Sequence, residues 1–210
     1  MRSYSEDKVA LFIDGSNFYA ATKSSGFDVD YSRLKEYFAK SERLVRAFYY
    51  TCLQEDPEYS PLRPLVDWLD YNGFKVLSKP STEFIDSMGV KHMKDSVNIE
   101  IAVDMLQMAD HVDHIVLFSG DGDFFPLMDA VQKKGVRFTV VSKTSMAADD
   151  LRRKADTFID VAKLAKDIKR IDNLYKPNMT DMEECPSVDL QDIDMFNRYS
   201  ELMENDADHD

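Results

Sequence analysis

Two short segments carry acids in a setting that suggests chemistry. Phe12-Ile13-Asp14-Gly15-Ser16-Asn17 closes one apolar run, and Phe118-Ser119-Gly120-Asp121-Gly122-Asp123-Phe124 closes another. Glycines beside the acids let the chain turn sharply just past each run. If both runs are parallel strands, the crevice beyond their carboxyl ends is where an open α/β sheet collects ligands. Asp14, Asp121 and Asp123 would then share that crevice. Like charges so placed raise each other's pKa unless a cation neutralises them. Carboxylates with little histidine or cysteine nearby suit a hard ion, Mg²⁺ or Mn²⁺. A lone Asp-Gly is an ordinary turn, but two of them, each closing an apolar run, are harder to read that way.

A third acid comes from a stretch with helical spacing, 97–109. Val97, Ile101 and Met108 fall within about 40° on a helical wheel, with Asp104 in the middle of that stripe. A carboxylate facing a core is costly without a partner, so Asp104 needs one. Glu100 lies one turn earlier, and Asn98, near the start, suits an N-cap. The bland alternative for Asp104 is a bond to a helix cap or an arginine. Basic residues for a phosphate backbone are Lys75, Lys79, Lys91, His92 and Lys94, then Arg152, Arg153 and Lys154. Of these, Lys91 and Lys94 are the first choices for substrate contact, against the alternative of a solvated face. Phe18 and Tyr19 suit either base stacking or core packing.

Other chemistries fit worse. The first apolar run is not followed by Gly-x-Gly-x-x-Gly, and no Gly-x-x-x-x-Gly-Lys-Ser/Thr occurs. Ser16 stands two positions after Asp14, where an aspartyl-phosphate phosphatase of the haloacid dehalogenase type needs a second Asp. The Gly120–Asp123 segment is too short for a calcium loop. A Toprim-like domain shares the Asp121-Gly-Asp123 pair but should close an earlier strand with Glu, and Asp14 stands there instead. His111 and His114 read as surface histidines beside a turn.

These side chains need a scaffold, and the rest of the chain supplies one. Apolar runs at 9–14, 44–51, 74–77, 114–119, 136–142 and 157–161 read as strands. Stretches 31–40, 62–71, 97–109, 124–134 and 149–154 read as helices, and Asn72-Gly73 is a stop signal. Helices alternating with unbroken apolar runs predict an α/β fold with a mostly parallel sheet covered on both faces. The chain has 210 residues, 44% of them hydrophobic, which is enough for a real core and rules out full disorder.

Its net charge of -13 is uneven. From Asp172 onward there are twelve acidic and two basic residues, so the preceding part is almost neutral and the acid pI is weak evidence against nucleic-acid binding. Two units are expected, residues 1–170 as the domain and 171–210 as an acidic tail. Within the tail, 190–204 has the pattern of an amphipathic helix that docks on its own domain, binds a protein partner, or places acids in a basic groove. No apolar run approaches the ~20 residues of a membrane span. The start of the chain lacks the apolar segment of a secretory signal, and Cys52 and Cys185 form no pair motif. A reduced, cytoplasmic protein is expected, with a homo-oligomer left open.

The motifs 9–19 (VALFIDGSNFY), 99–106 (IEIAVDML) and 115–124 (IVLFSGDGDF) resemble the NYN domain, LabA-like branch, of the PIN-like nuclease superfamily. The resemblance covers roughly residues 8–168 and not the tail. It implies a three-layer α/β/α sandwich and a Mg²⁺- or Mn²⁺-dependent phosphodiesterase acting on RNA. It implies that Asp14, Asp104, Asp121 and Asp123 form the metal site, that Asn17 orients a carboxylate or a phosphate, and that Ser119 supports the site. At position 98 the branch usually carries Asp, and here Asn stands. That leaves three outcomes: one weakly held metal, compensation by Glu100, or loss of hydrolysis.

Overall fold

The computed structural model describes residues 7–53, 62–80, 82–85, 91–94 and 96–171, with 82–85 and 91–94 given by their backbone alone. The chain runs β1 (Lys8–Asp14), α1 (Gly15–Lys23), α2 (Tyr31–Ala39), β2 (Arg43–Leu53), α3 (Arg63–Tyr71), β3 (Lys75–Pro80), β4 (Thr82–Ile85) and β5 (Lys91–Lys94). It continues through α4 (Asn98–Met108), β6 (His114–Phe118), a 3₁₀ turn (Gly122–Phe124), α5 (Phe125–Gln132), β7 (Arg137–Ser142), α6 (Asp149–Lys154), β8 (Thr157–Asp160) and α7 (Val161–Ile168).

Six strands form one sheet in the order β3-β2-β1-β6-β7-β8, and every neighbouring pair is parallel. The expected α/β sandwich is therefore the observed one. Alternate residues of β1 explain why the run is apolar throughout. Val9, Leu11 and Ile13 enter one core, with α1, α2, α3 and α7. Ala10 and Phe12 enter the other, with α4, α5 and α6. From β1 the sheet grows through β2 to β3 in one direction, and from β6 through β7 to β8 in the other. The order thus reverses between β1 and β6. At such a switch point the connections leave on opposite faces and open a crevice past the strand ends. Asp14 is the last residue of β1, and Ser119 directly follows β6.

Several expectations shift. Residues 15–23, to which the sequence assigned no element, form α1, because Asp14 caps them by accepting from the Asn17 amide and because Phe18 and Ala21 reach the core. Phe18 is core, edge-on to Phe118 at 4.9 Å between ring centres, so it does not offer a face to a base. Asn98 is the first residue of α4 rather than its cap, which is Val97. Residues 161–168 continue past the last strand as α7, and 82–85 pairs with 91–94 as an antiparallel hairpin. Asn72-Gly73 does stop α3, with Gly73 at φ +76. Among the described residues no helix is long and apolar enough to cross a membrane. The tail beyond 171, with its expected 190–204 helix, lies outside the described residues.

Candidate functional site

Asp14 is 4% exposed, at the mouth of the switch point. Its Oδ1 accepts from the Ser16 hydroxyl at 3.0 Å and from the Asn17 backbone amide at 3.2 Å. Its Oδ2 accepts from the Ser119 hydroxyl at 3.0 Å. That hydroxyl also accepts from the Asp121 amide at 3.2 Å, so Ser119 joins the two acid motifs directly. Asn17 makes a second joint: its Oδ1 accepts from the Gly120 amide at 2.9 Å. The first turn of α1 and the loop after β6 are thereby locked to each other.

Asp121 caps the 3₁₀ turn by accepting from the Asp123 amide at 3.0 Å through Oδ1. Its Oδ2 accepts from the Asn98 side-chain amide at 2.8 Å. Burial pushes the Asp14 carboxyl above its ordinary value. The three donors pull it back in part, and the charge of Asp121 adds to the rise. Two carboxylates thus sit close enough to repel, and the bonds they receive from the described residues come from neutral hydroxyls and amides.

Asp104 stands apart from that pair. It is half-buried on α4 and accepts from the Tyr50 hydroxyl at 2.8 Å. Tyr50 is the β2 neighbour of Asp14 in the parallel register. Burial, then the bond to Asp104 and its charge, push the Tyr50 phenol far up, so it stays a donor. Glu100 is taken by Lys79 at 2.8 Å, which holds its carboxyl below the usual range. That bond uses Oε1 alone, and the buried Oε2 of Glu100 has no hydrogen-bond partner among the described residues. Asp123 is exposed and lines a cleft of about 500 Å³ between the 3₁₀ turn and α6, with Phe125, Pro126, Asp149, Asp150 and Arg153.

Among the described residues, no three Asp, Glu, His or Cys side chains come close enough to hold a metal ion. Asp14, Asp104, Asp121 and Asp123 are not gathered into one four-acid cage. The donor set that is gathered, Asp14 with Asp121, still suits Mg²⁺ or Mn²⁺, because Mg²⁺ keeps several waters and is commonly held by one or two carboxylates plus substrate phosphates.

The basic residues are largely engaged nearby. Lys79 pairs with Glu100, Arg152 with Asp149 at 2.7 Å and Arg153 with Asp150 at 3.2 Å, while Lys75 stands over the Phe48 ring. Lys91 and Lys94 lie on β5, which the structure gives by its backbone alone. His114, expected at the surface, is buried inside the sheet.

Residues 8–165 match the model of the NYN domain. The chain belongs to the NYN domain family. A relative 36% identical over 163 residues, covering 76% of this chain and 86% of its own, is "Low amplitude and bright protein LabA" of Synechococcus elongatus, which places this NYN domain in the LabA-like branch. A crystal structure of a protein of unknown function, VPA0982 of Vibrio parahaemolyticus, matches with a TM-score of 0.64 at 26% identity, covering 77% of this chain and 96% of the other. Within this NYN domain, two contacts escaped sequence reading. Tyr50 meets Asp104 across 54 positions, and Asn98 meets Asp121 across 23. Their only sequence signal is a polar group inside an apolar strand or at the head of a helix.

Proposed function

We propose that this NYN domain is a divalent-ion-dependent phosphodiesterase that cleaves RNA, with Asp14 and Asp121 as its ion-holding pair. The family suggests a nuclease-like or RNA-related role. The observation that carries the finer reading is the buried Asp14 carboxylate, kept beside Asp121 by Ser119 with no cationic side chain among the described residues bonded to either. A divalent ion bound there would activate water and stabilise the leaving oxygen. The chain's own residues prepare that place. Ser119 and Ser16 orient the Asp14 carboxylate, Asn17 fixes the Gly120 turn, and Asn98 aims Asp121. Lys91 and Lys94 are proposed to hold the RNA phosphates.

A second reading is a catalytically weakened module that binds RNA or a protein partner. One observation favours it: the Asn98 amide already occupies Asp121 Oδ2, and Asn98 brings no third charge.

Labelled single-stranded RNA, incubated with the full chain and Mn²⁺, separates the two. The first reading expects cleavage that excess chelator stops and that Asp14→Asn or Asp121→Asn lowers at least ~100-fold. Cleavage that survives in both variants rejects it. The second expects no turnover, RNA retention that survives Asp121→Asn, and a gain of Mn²⁺-dependent cleavage in Asn98→Asp. Wild-type turnover equal to that of Asn98→Asp rejects the second.

A further inference from the structure

The amino end of the same sheet buries another polar set, far along the strands from the acids. His114 opens β6 and is 6% exposed. Its Nδ1 lies 2.7 Å from Glu42 Oε2, and its Nε2 lies 2.7 Å from Thr139 Oγ1 on β7. Glu42, in the turn before β2, also receives the Arg137 guanidinium, which in turn faces Asp7 at 3.8 Å. The carboxylate fixes the tautomer: Nδ1 carries the proton and donates to Glu42, so Nε2 accepts from the Thr139 hydroxyl. Both nitrogens of the neutral ring are matched.

A second proton would make Nε2 a donor, so the Thr139 hydroxyl would have to turn its own proton away from the ring and accept instead, inside closely packed strands. Glu–His–Thr has the connectivity of a hydrolase triad. Thr139 is 3% exposed, however, so its hydroxyl is closed to a substrate and the set is not catalytic.

We propose that Glu42, His114 and Thr139, with Arg137 beside them, form an acid-sensitive clasp on the entry edge of the sheet, closed while His114 is neutral and loosened when His114 takes a proton. The set adjoins the first bonds of three strands. The Asp113 amide donates to the Lys8 carbonyl at 2.9 Å, and the Arg137 amide donates to the Asp113 carbonyl at 3.0 Å. Loosening there frays β1, β6 and β7 together, and two of these carry the acid motifs at their other ends.

The groups facing His114 are Glu42 from the turn before β2, Thr139 and Arg137 from β7, and Asp7 from the segment before β1. Burial holds the imidazole below its ordinary value, Glu42 and Asp7 raise it, and Arg137 lowers it, with a net fall. A depressed value in the fold means that the unfolded chain takes the proton first. Stability is thus full above the ordinary histidine value of about 6.5 and is lost as the pH falls below it.

Two measurements on the full chain test the clasp: the thermal midpoint from about pH 8 to about pH 5, and the NMR titration of the His114 ring. The midpoint of the wild type is expected to fall by roughly 3 °C or more across the histidine range. His114→Gln, whose amide keeps one donor and one acceptor but does not titrate, is expected to lose that fall. Thr139→Val removes the donor to Nε2, brings the folded ring closer to the ordinary histidine value of about 6.5, and is expected to make the fall smaller. The wild-type ring is expected to stay neutral down to a pH below about 6.5. A ring that protonates at or above that value, or a fall in His114→Gln equal to that of the wild type, overturns the clasp. If His114→Gln does not fold, the ring titration and the smaller fall of Thr139→Val decide between the same two outcomes.

Discussion

At the carboxyl end of the sheet, Asp14 is buried beside Asp121 with only hydroxyl and amide donors around it among the described residues. At the amino end, Glu42, its side chain 9% exposed, sits between a guanidinium and an imidazole. Both ends hide carboxylates, which costs free energy unless charge is matched. The amino end is matched within the chain. Among the described residues the carboxyl end is not, and it lies at the switch point of a parallel sheet, where a ligand has room to supply the missing charge. The difference separates a structural use of buried acids from a receptive one: the first is complete as folded, and the second is left short of positive charge.

The largest effect is expected from filling the space on which the receptive end depends. A Cβ at Gly15 would stand 2.7 Å from the Tyr49 ring and hydroxyl and 2.8 Å from the Tyr50 carbonyl. A Cβ at Gly120 would stand 2.7 Å from Ser142 Oγ and 2.8 Å from the Met146 carbonyl. Backbone on both sides must move, so Gly15→Ala is expected to cost about 3 kcal/mol, near the top of the overpacking range, or about 10 °C in thermal midpoint. A neutral Gly15→Ala would show that the start of α1 is not held in place by β2.

On the matched end, Glu42→Ala leaves His114 and Arg137 without their shared acceptor. Arg137 keeps some water, so the expected loss lies toward the low side of a broken buried pair, about 2–3 kcal/mol by denaturant unfolding. A loss under about 0.5 kcal/mol would class this end with ordinary surface pairs and remove the contrast.

How far the sequence foretold this contrast depends on the range of the signal. Strands were legible because Val9–Ile13 and Ile115–Phe118 are apolar on both faces, which only a covered parallel sheet explains. α1 was not, because Gly15, Ser16 and Asn17 are weak helix formers and the helix rests on a cap and on burial of Phe18. The acids at the strand ends were legible as a group of candidates. Their sorting was not, since it depends on which strands become neighbours. Tyr50 reaches Asp104 only because β2 pairs with β1 at Asp14, and the buried partners of His114 lie on other segments. His114 looked like a surface residue beside His111, although it opens the apolar run 114–119, because its partners Glu42 and Thr139 are far away in sequence.

A smaller change of opposite sign sharpens the contrast. The Asp14 carboxyl is raised in the fold, so the fold favours its protonated form. That contribution is full in acid and is lost as the pH rises through the raised value. At neutral pH the ionised group is therefore a burden, and Asp14→Asn is expected to raise the thermal midpoint by about 2–4 °C. The gain should shrink as the pH is lowered toward about 4, where aspartate in the unfolded chain also protonates. A midpoint lowered by Asp14→Asn at pH 7 would mean that the cap on α1 outweighs the unmatched charge, and the two ends would then be alike.

The smallest change asks whether Asp104 belongs with the unmatched pair or apart from it. Tyr50→Phe deletes the hydroxyl that holds Asp104. The phenyl ring stays in its stack with Phe12 and Phe48, so packing is kept and the loss should be about one hydrogen bond, roughly 1 kcal/mol or less. Because Asp104 is only half-buried, water takes over part of that bond. Freed of Tyr50, the carboxylate either stays on its side of α4 or swings toward Asp14. Mn²⁺ titration by calorimetry tells these apart. Unchanged affinity is expected, since Asp104 lies outside the Asp14–Asp121 pair and water takes over part of its lost bond. Affinity raised several-fold would mean that Tyr50 holds back a third acid, and the boundary between the matched and unmatched groups would then run through α4 itself.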